Sequence, residues 1–286
     1  MITKKVAFIG GTGMLEAFQA DGFELKEGRA EDTPYGGPVH WTTVRKEIQP
    51  GEVVEFTFIS RHYSTGGFKA PHELVHQAYM YVLVHVLKVD AILASSAVGA
   101  IVESLHTNGL KPGDLIIPDQ THDHVLDPYT FMLPSFTHQG AFHRPLDVPF
   151  CPSLQSMLAG DQKIKRAGTL ACSLKGPRFE TPSEIATRRR DNITVVGMTT
   201  AFPEIVLAGE ASVPYALICG VTNMAPADDD GKKVLVAMET MRPLIIDRVI
   251  SAVYMIQCKD VWHKPDCPCR KGREQSVWQM IGADSK

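Results

Sequence analysis

Apolar residues in this chain fall into short runs, and the runs alternate with longer stretches whose apolar positions recur at helical spacing. An α/β domain with a largely parallel sheet reads this way along its sequence. Residues 6–9, 54–59, 91–94, 115–117, 195–198 and 215–221 are the predicted strands, and several lack polar alternation, as strands buried on both faces do. Residues 71–87 read as a helix opened by proline, 183–190 and 203–209 as short helices, and 233–257 as a long closing helix. Residues 122–152 carry many His, Phe and Pro and little periodicity, the pattern of a long ordered loop of the kind that carries function. The expected architecture is a single α/β domain over residues 1–258, a central mixed, mostly parallel β-sheet flanked by helices. A polar tail with a Cys-Pro-Cys sequence follows over 259–286. Arg188, Arg189 and Arg190 read as a solvated helix face.

Composition narrows the partners. Lys and Arg total 29 against 32 Asp and Glu, a net charge of −3 that offers no attraction to a polyanion, so nucleic acid is not expected. No run approaches the roughly 18 to 20 apolar residues of a membrane span, and the start of the chain has no signal-peptide pattern, so a cytoplasmic protein without membrane contact is expected. Cys151, Cys172, Cys219 and Cys258 lie in ordinary or apolar segments and read as reduced, packed thiols. The tail set Cys258, His263, Cys267 and Cys269 is irregular for zinc, so no metal is assigned; a Cys-Pro-Cys redox pair or plain exposed thiols fits it better.

Polar residues gather where predicted strands end. Gly10-Gly11-Thr12-Gly13 lets backbone N–H groups approach an anion, with the Thr12 hydroxyl as a further donor, although such a turn alone also serves as a tight strand-to-helix connection. Glu16 departs from the dinucleotide fingerprint, and no Gly-Lys-Ser/Thr follows. Ser60-Arg61-His62 sets a permanent cation and an imidazole donor at another strand end, an oxyanion clamp or a capping arrangement. Ser95-Ser96-Ala97-Val98-Gly99, Lys175 to Pro182, Gly197-Met198-Thr199-Thr200 and Val221-Thr222-Asn223-Met224 complete the set. Parallel strands would bring these ends to one side, with hydroxyls, Arg and His for an anion and Phe, Met, Glu and Asn for a flat heterocycle.

In order along the chain, Gly10-Gly11-Thr12-Gly13, Asp32-Thr33-Pro34-Tyr35-Gly36, Arg61-His62, Pro71-His72, Ser95 to Gly99, Pro112-Gly113-Asp114-Leu115, Pro118-Asp119-Gln120, Pro149-Phe150-Cys151-Pro152, Gly176 to Thr181, Gly197-Met198-Thr199 and Pro203-Glu204 resemble the methylthioadenosine/purine nucleoside phosphorylase family. The likeness spans roughly residues 4 to 250, and so many motifs in one order make it specific. It implies a purine nucleoside phosphorylase-like fold and phosphate-dependent cleavage of the N-glycosidic bond of a purine nucleoside. The products would be free base and a ribose 1-phosphate. Inorganic phosphate would be co-substrate, with no metal or organic cofactor. By motif, Thr12, Arg61, His62, Ser96, Ala97 and Thr199 would hold phosphate, and Met198 would lie under the ribose. Phe179, Glu180, Thr222, Asn223 and Ala225 would line the base site, with Asn223 and His62 serving catalysis.

Three positions depart from the branch specific for methylthioadenosine, which resembles this chain but has Ser at Glu180, Asp at Asn223 and a second Asp at Ala225. A carboxylate at Glu180 accepts a hydrogen bond from N1–H of hypoxanthine or guanine, and faces a lone pair in adenine. The expectation is therefore preference for 6-oxopurine nucleosides: inosine, guanosine or 5′-methylthioinosine. The rival is a methylthioadenosine phosphorylase releasing adenine, in which Asp228-Asp229-Asp230 would restore the acid. A non-catalytic nucleoside-binding protein is the alternative of another class. Read as structure alone, Glu180 would cap the helix near Pro182 and Asn223 would satisfy a turn. The segment from Arg61 to His72 is one residue longer than the family pattern and lacks its usual His, which leaves open a 5′-hydroxyl or a 5′-methylthio group. Family resemblance also implies a homotrimer in which the Phe142-His143 region of a neighbour closes the pocket.

Overall fold

The computed structural model describes residues 4–11, 13–64, 67–102, 109–131, 145–160, 164–198, 201–226, 231–259 and 262. Strands are β1 (Val6–Gly10), β2 (Glu24–Ala30), β3 (Val39–Gln49), β4 (Glu52–Ser60), β5 (Tyr63–Ser64), β6 (Gly67–Phe68), β7 (Ala91–Ile101), β8 (Leu115–Asp123), β9 (Lys165–Leu174), β10 (Ile193–Met198) and β11 (Tyr215–Ala225). Helices are α1 (Met14–Ala20), α2 (His76–Tyr81), α3 (Pro152–Ala159), α4 (Pro182–Arg190), α5 (Phe202–Glu210) and α6 (Gly231–Gln257). Apart from the β5–β6 hairpin, the strands form one sheet in the order β10-β9-β8-β11-β7-β1-β4-β3-β2.

The sheet is mixed, and the expected mostly parallel order is corrected. β1–β4, β1–β7, β7–β11, β8–β9 and β9–β10 pair parallel, while β2–β3, β3–β4, β8–β11 and β7–β10 pair antiparallel. The β7–β10 pairing also closes β7, β11, β8, β9 and β10 into a barrel. β7 belongs to both parts. Its first residues lie beside β1, from Val6 opposite Ala91 to Ile9 opposite Ala94, and its last face β10, with Gly99 opposite Val196 and Ala100 opposite Val195.

Two apolar layers cover the sheet. On one face Phe8, Phe56 and Phe58 of the strands meet Phe18 of α1 with ring centroids 5.3 to 6.4 Å apart, most of them edge to face, under Ile245, Val249 and Val253 of α6. Edge-to-face rings add roughly 0.5–1.5 kcal/mol per pair beyond their buried area. On the other face Ile9, Ile92 and Leu217 pack under Met80 of α2 and Ile205 and Leu207 of α5.

Differences from the sequence pattern have local causes. The predicted helix 71–87 divides into a 3₁₀ turn Pro71–Glu73, α2 and a π-helical turn Val82–Val86, because Leu74 and Val75 leave helical geometry. α1, α3, β2, β3 and β9 were not expected; β2 and β9 are rich in polar or charged residues, so their apolar signal is weak. β8 runs into the first residues of the predicted loop 122–152 and α3 begins at its last, while residues 132–144 lie outside the described residues. Arg188 is not on a solvated face: it is buried, and its Nε donates to Ser173 Oγ at 3.1 Å. Cys151, Cys172 and Cys219 are buried and outside any disulfide, and Cys258 is a half-buried thiol. The tail beyond Trp262 lies outside the described residues, and with it His263, Cys267 and Cys269. No helix among the described residues is long and apolar enough to cross a membrane.

Candidate active site

β1, β4, β7 and β11 run parallel, so the residues following or ending them share one edge. Gly10 pairs with Ser60, Ile9 with Ala94 and Cys219 with Ser96, which sets the glycine-rich turn, Arg61-His62 and the Ser95 to Gly99 segment side by side. The fifth segment arrives for a different reason than expected. β10 runs antiparallel to β7, and barrel closure carries its end to the middle of that strand, where a Cβ on Gly197 would stand 3.7 Å from Val98 Cγ1. The site therefore lies where open sheet and barrel meet.

Arg61 is buried, and its charge is met within the protein. Nε donates to Glu204 Oε1 at 2.7 Å, Nη2 to Glu204 Oε2 at 3.2 Å and Nη1 to the Ser95 carbonyl at 3.2 Å. Tyr79 and Tyr215 donate their hydroxyls to the same carboxylate, at 2.7 and 2.6 Å. Burial alone would raise the Glu204 pKa, but the Arg61 charge and these hydrogen bonds hold it below the usual carboxylate range. α5 delivers Glu204 from its first turn, after Ala201 at φ 70° and with Pro203 near its start. A left-handed alanine is strained backbone, kept only where the surroundings over-determine it.

His62 Nδ1 lies 3.1 Å from the Lys69 carbonyl. That contact makes Nδ1 the donor and leaves Nε2 an acceptor in the neutral ring. Burial and then the Arg61 charge lower the His62 pKa, outweighing the opposite effects of the Lys69 carbonyl and Glu204, so the ring is neutral at pH 7. The imidazole donor expected from sequence is committed to Lys69. Phe68 of the hairpin stacks on the ring, centroids 5.5 Å apart and planes 18° from parallel. Ser96 is buried and donates to the Ala97 carbonyl at 3.0 Å.

On the other side, β11 shifts register between Val221 and Asn223, a bulge at Thr222 that re-aims the following side chain. Thr222 Oγ1 lies 3.3 Å from the Val98 carbonyl and donates to Asn223 Oδ1 at 2.9 Å. Gly99 leaves room for this amide, since a Cβ there would stand 3.2 Å from Asn223 Nδ2. Glu180 is buried, its carboxylate acted on electrostatically by the Arg178 guanidinium. It does not cap α4: Thr181 does, in a capping box with Glu184. Phe179 is half-buried, one residue before it. Met198 Sδ would stand 3.1 Å from a Cβ on Gly176, whose φ of +78° already favours glycine. Ala225 is buried in an apolar cluster with Ile101, Ile185 and Val196, and offers no acid.

Thr12, Thr199, Phe142, His143 and Asp228, Asp229 and Asp230 lie outside the described residues. No cluster of three or more His, Cys, Asp or Glu suited to a metal occurs among the described residues. Sequence reasoning quoted Glu204 without a role and missed Tyr79 and Tyr215. The signal was a lone carboxylate among Phe202, Pro203, Ile205, Val206 and Leu207, a position that demands a buried partner.

The α/β fold, a mixed sheet with one closed barrel, has a counterpart among solved structures. A methylthioadenosine phosphorylase from an Antarctic soil metagenomic library shares it, with a TM-score of 0.76 at 24% identity over 99% of this chain and 96% of that one. The chain belongs to the phosphorylase superfamily, whose family model matches residues 5–251. It is 33% identical over 270 residues to the "Probable S-methyl-5′-thioinosine phosphorylase" of Methanothermobacter thermautotrophicus, covering 93% of this chain and 87% of that protein. It is 36% identical over 228 residues to the "Probable 6-oxopurine nucleoside phosphorylase" of Moorella thermoacetica, covering 77% and 80%. The chain is accordingly an enzyme of the nucleoside phosphorylase class, a pentosyltransferase.

Proposed function

We propose that this enzyme cleaves 6-oxopurine nucleosides with inorganic phosphate, releasing hypoxanthine or guanine and a ribose 1-phosphate, with 5′-methylthioinosine among its substrates. The orientation of Asn223 carries the reading. With Oδ1 engaged by Thr222, the amide presents Nδ2 as a donor, suited to N7 and O6 of a 6-oxopurine. The buried Glu180 carboxylate, within the field of the Arg178 guanidinium, is an acceptor suited to N1–H, which adenine lacks.

The reaction breaks the bond from ribose C1′ to purine N9 and forms one from C1′ to a phosphate oxygen. As the base leaves, C1′ gains oxocarbenium character, and a phosphate dianion beside it both stabilises that charge and stands ready as nucleophile. Arg61 keeps one N–H on each Nη nitrogen beyond its contacts with Glu204 and Ser95. Those two, the hydroxyls of Thr12 and Thr199, the Ser96 hydroxyl once it turns from the Ala97 carbonyl, and the Ala97 backbone would hold the phosphate, and neutral His62 Nε2 would accept its remaining proton. Electron density flows into the purine and is met at N7 by the Asn223 amide, which stabilises the leaving anion until solvent water protonates it, the proton given up by the phosphate returning to solvent from His62. Met198 would lie under the ribose, with Phe179 against the base.

The same reading includes a homotrimer whose neighbouring Phe142-His143 segment closes the pocket, a cytoplasmic location and no cofactor beyond phosphate. The deciding experiment compares phosphate-dependent base release from inosine, 5′-methylthioinosine and 5′-methylthioadenosine at equal concentration. Hypoxanthine without adenine is the expected result. Dominant adenine release would make the enzyme a methylthioadenosine phosphorylase, and bound nucleoside with no product would make it a binding protein.

A further inference from the structure

The four hydrogen bonds on Glu204 set a limit on what it can do. An ionised carboxylate offers about four acceptor sites, and here each oxygen takes one N–H of Arg61 and one tyrosine hydroxyl. The residue is wholly buried, its side chain 0% exposed against 3% for Arg61. It has no acceptor capacity for a ligand and no route to one. Its three donors come from separate elements: Arg61 follows β4, Tyr79 lies on α2 and Tyr215 opens β11. α5 thereby ties its own first turn to three other parts of the fold through one carboxylate.

We infer that Glu204 is a positioning residue, held by Tyr79 and Tyr215, that fixes the Arg61 guanidinium so that its Nη1 and Nη2 edge faces an incoming phosphate. Affinity for inorganic phosphate is then set by a carboxylate that never touches it. The inference rests on the reading of Arg61 as a phosphate ligand. The geometry supports it because Glu204 occupies the Nε–Nη2 edge and the Ser95 carbonyl takes Nη1, so that both ends of the planar group are fixed while one N–H on each Nη is left over. A guanidinium held in this way loses little rotamer freedom on meeting an oxyanion, which is where preorganisation gains affinity.

Charge alone predicts the opposite sign, and this makes the inference testable. Removing a carboxylate from beside Arg61 leaves a bare cation, which draws an anion more strongly; losing its anchor weakens the grip. Inorganic phosphate is titrated calorimetrically into the full-length protein and into Glu204→Gln, Tyr79→Phe and Tyr215→Phe. KM for phosphate and for nucleoside is measured in parallel. Glu204→Gln is expected to weaken phosphate binding about tenfold or more, equivalent to about 1.4 kcal/mol, with the nucleoside KM changed less than about twofold. The tyrosine variants, which remove no charge, are expected to shift phosphate affinity the same way by a smaller factor. Tighter or unchanged phosphate binding in a folded Glu204→Gln overturns the inference. If that variant does not fold, the two tyrosine variants decide, and unchanged phosphate affinity in both overturns it. Wild-type protein that binds phosphate but releases no base defeats the proposed function alone, and wild-type protein that binds none defeats both.

Discussion

Thr222 holds Asn223 by its carbonyl end: the hydroxyl donates to Oδ1 at 2.9 Å, at the one place where β11 slips register against β7. Without the bulge Asn223 would follow the strict alternation of the strand, and without the hydroxyl its amide could turn over. Donor character toward the base is thus decided one residue before the residue that supplies it.

Asn223→Asp tests the base reading. A carboxylate in this place still accepts from Thr222, but presents an acceptor to N7 when ionised and a single proton when not. Hypoxanthine release is expected to fall about a hundredfold, equivalent to about 2.7 kcal/mol and within the cost of leaving a buried polar group unpaired, while adenine release from methylthioadenosine rises above background. Unchanged preference in a chromatographic product assay would show that the base is read elsewhere.

Thr222→Val should separate orientation from contact, since it keeps shape and removes the donor. A loss of about tenfold in kcat/KM is expected, the worth of one hydrogen bond at about 1.4 kcal/mol, with little change in the phosphate KM. A variant as fast as wild type would mean that Thr222 does not orient the amide.

Stability should fall as pH drops from 7 toward 5. Burial lowers the pKa of His62, His85 and His124 from the ordinary value of 6.5. The unfolded chain then takes up protons near 6.5 that the folded chain refuses until lower pH, so acid favours unfolding across that interval. Glu184, held down to about 2 chiefly by its hydrogen bond from Arg178, loses its contribution only below the usual carboxylate value of 4.5, and Asp123, raised by burial, works against the histidines only toward the acid end of the interval. The melting temperature should decline between pH 7 and 5, and His85→Gln should flatten the slope. A melting temperature that rises as pH falls would contradict this account.

Gly10 and Gly11 should behave differently although they are adjacent. A Cβ on Gly10 would stand 2.8 Å from Phe58 Cε2 and 3.1 Å from Met14 Cγ, whereas one on Gly11 meets nothing within 4 Å. Gly10→Ala is expected to cost about 1–3 kcal/mol by overpacking, read as a lower urea midpoint. Gly11→Ala should stay within about 0.5 kcal/mol. Equal costs would remove the packing argument.

No metal is needed by the proposed chemistry, because the electrophile is generated by departure of the base and the nucleophile is already an anion. Dialysis against a chelator should leave the rate of base release unchanged, while omission of phosphate abolishes it. Loss of activity on chelation, restored by a divalent cation, would sink the proposal of a cofactor-free enzyme.

Much of the site was legible because its residues follow short apolar strands. Arg61, Ser96, Met198 and Asn223 all lie at or beyond ends that hydrophobic runs mark clearly. What the residue order could not convey was direction. The run 195–198 looks like the run 91–94, and nothing local reveals that β10 opposes β7 and closes a barrel. Nor could it assign the charge of Arg61, since the partner lies 143 residues away on α5. The engagement of His62 Nδ1 was hidden for the same reason, because the Lys69 carbonyl that accepts its hydrogen bond is brought close by the β5–β6 hairpin and not by helical or strand spacing.

β7 is the strand that the open sheet and the barrel share, and its 11 residues carry Ser95 to Gly99 between the two. Neither half can come apart while keeping its own edge paired, so the two should unfold as one cooperative unit. Amide protons along β7 should then exchange with solvent only when the whole molecule opens. A cell holding a partly folded copy of this chain would hold no fraction of its activity.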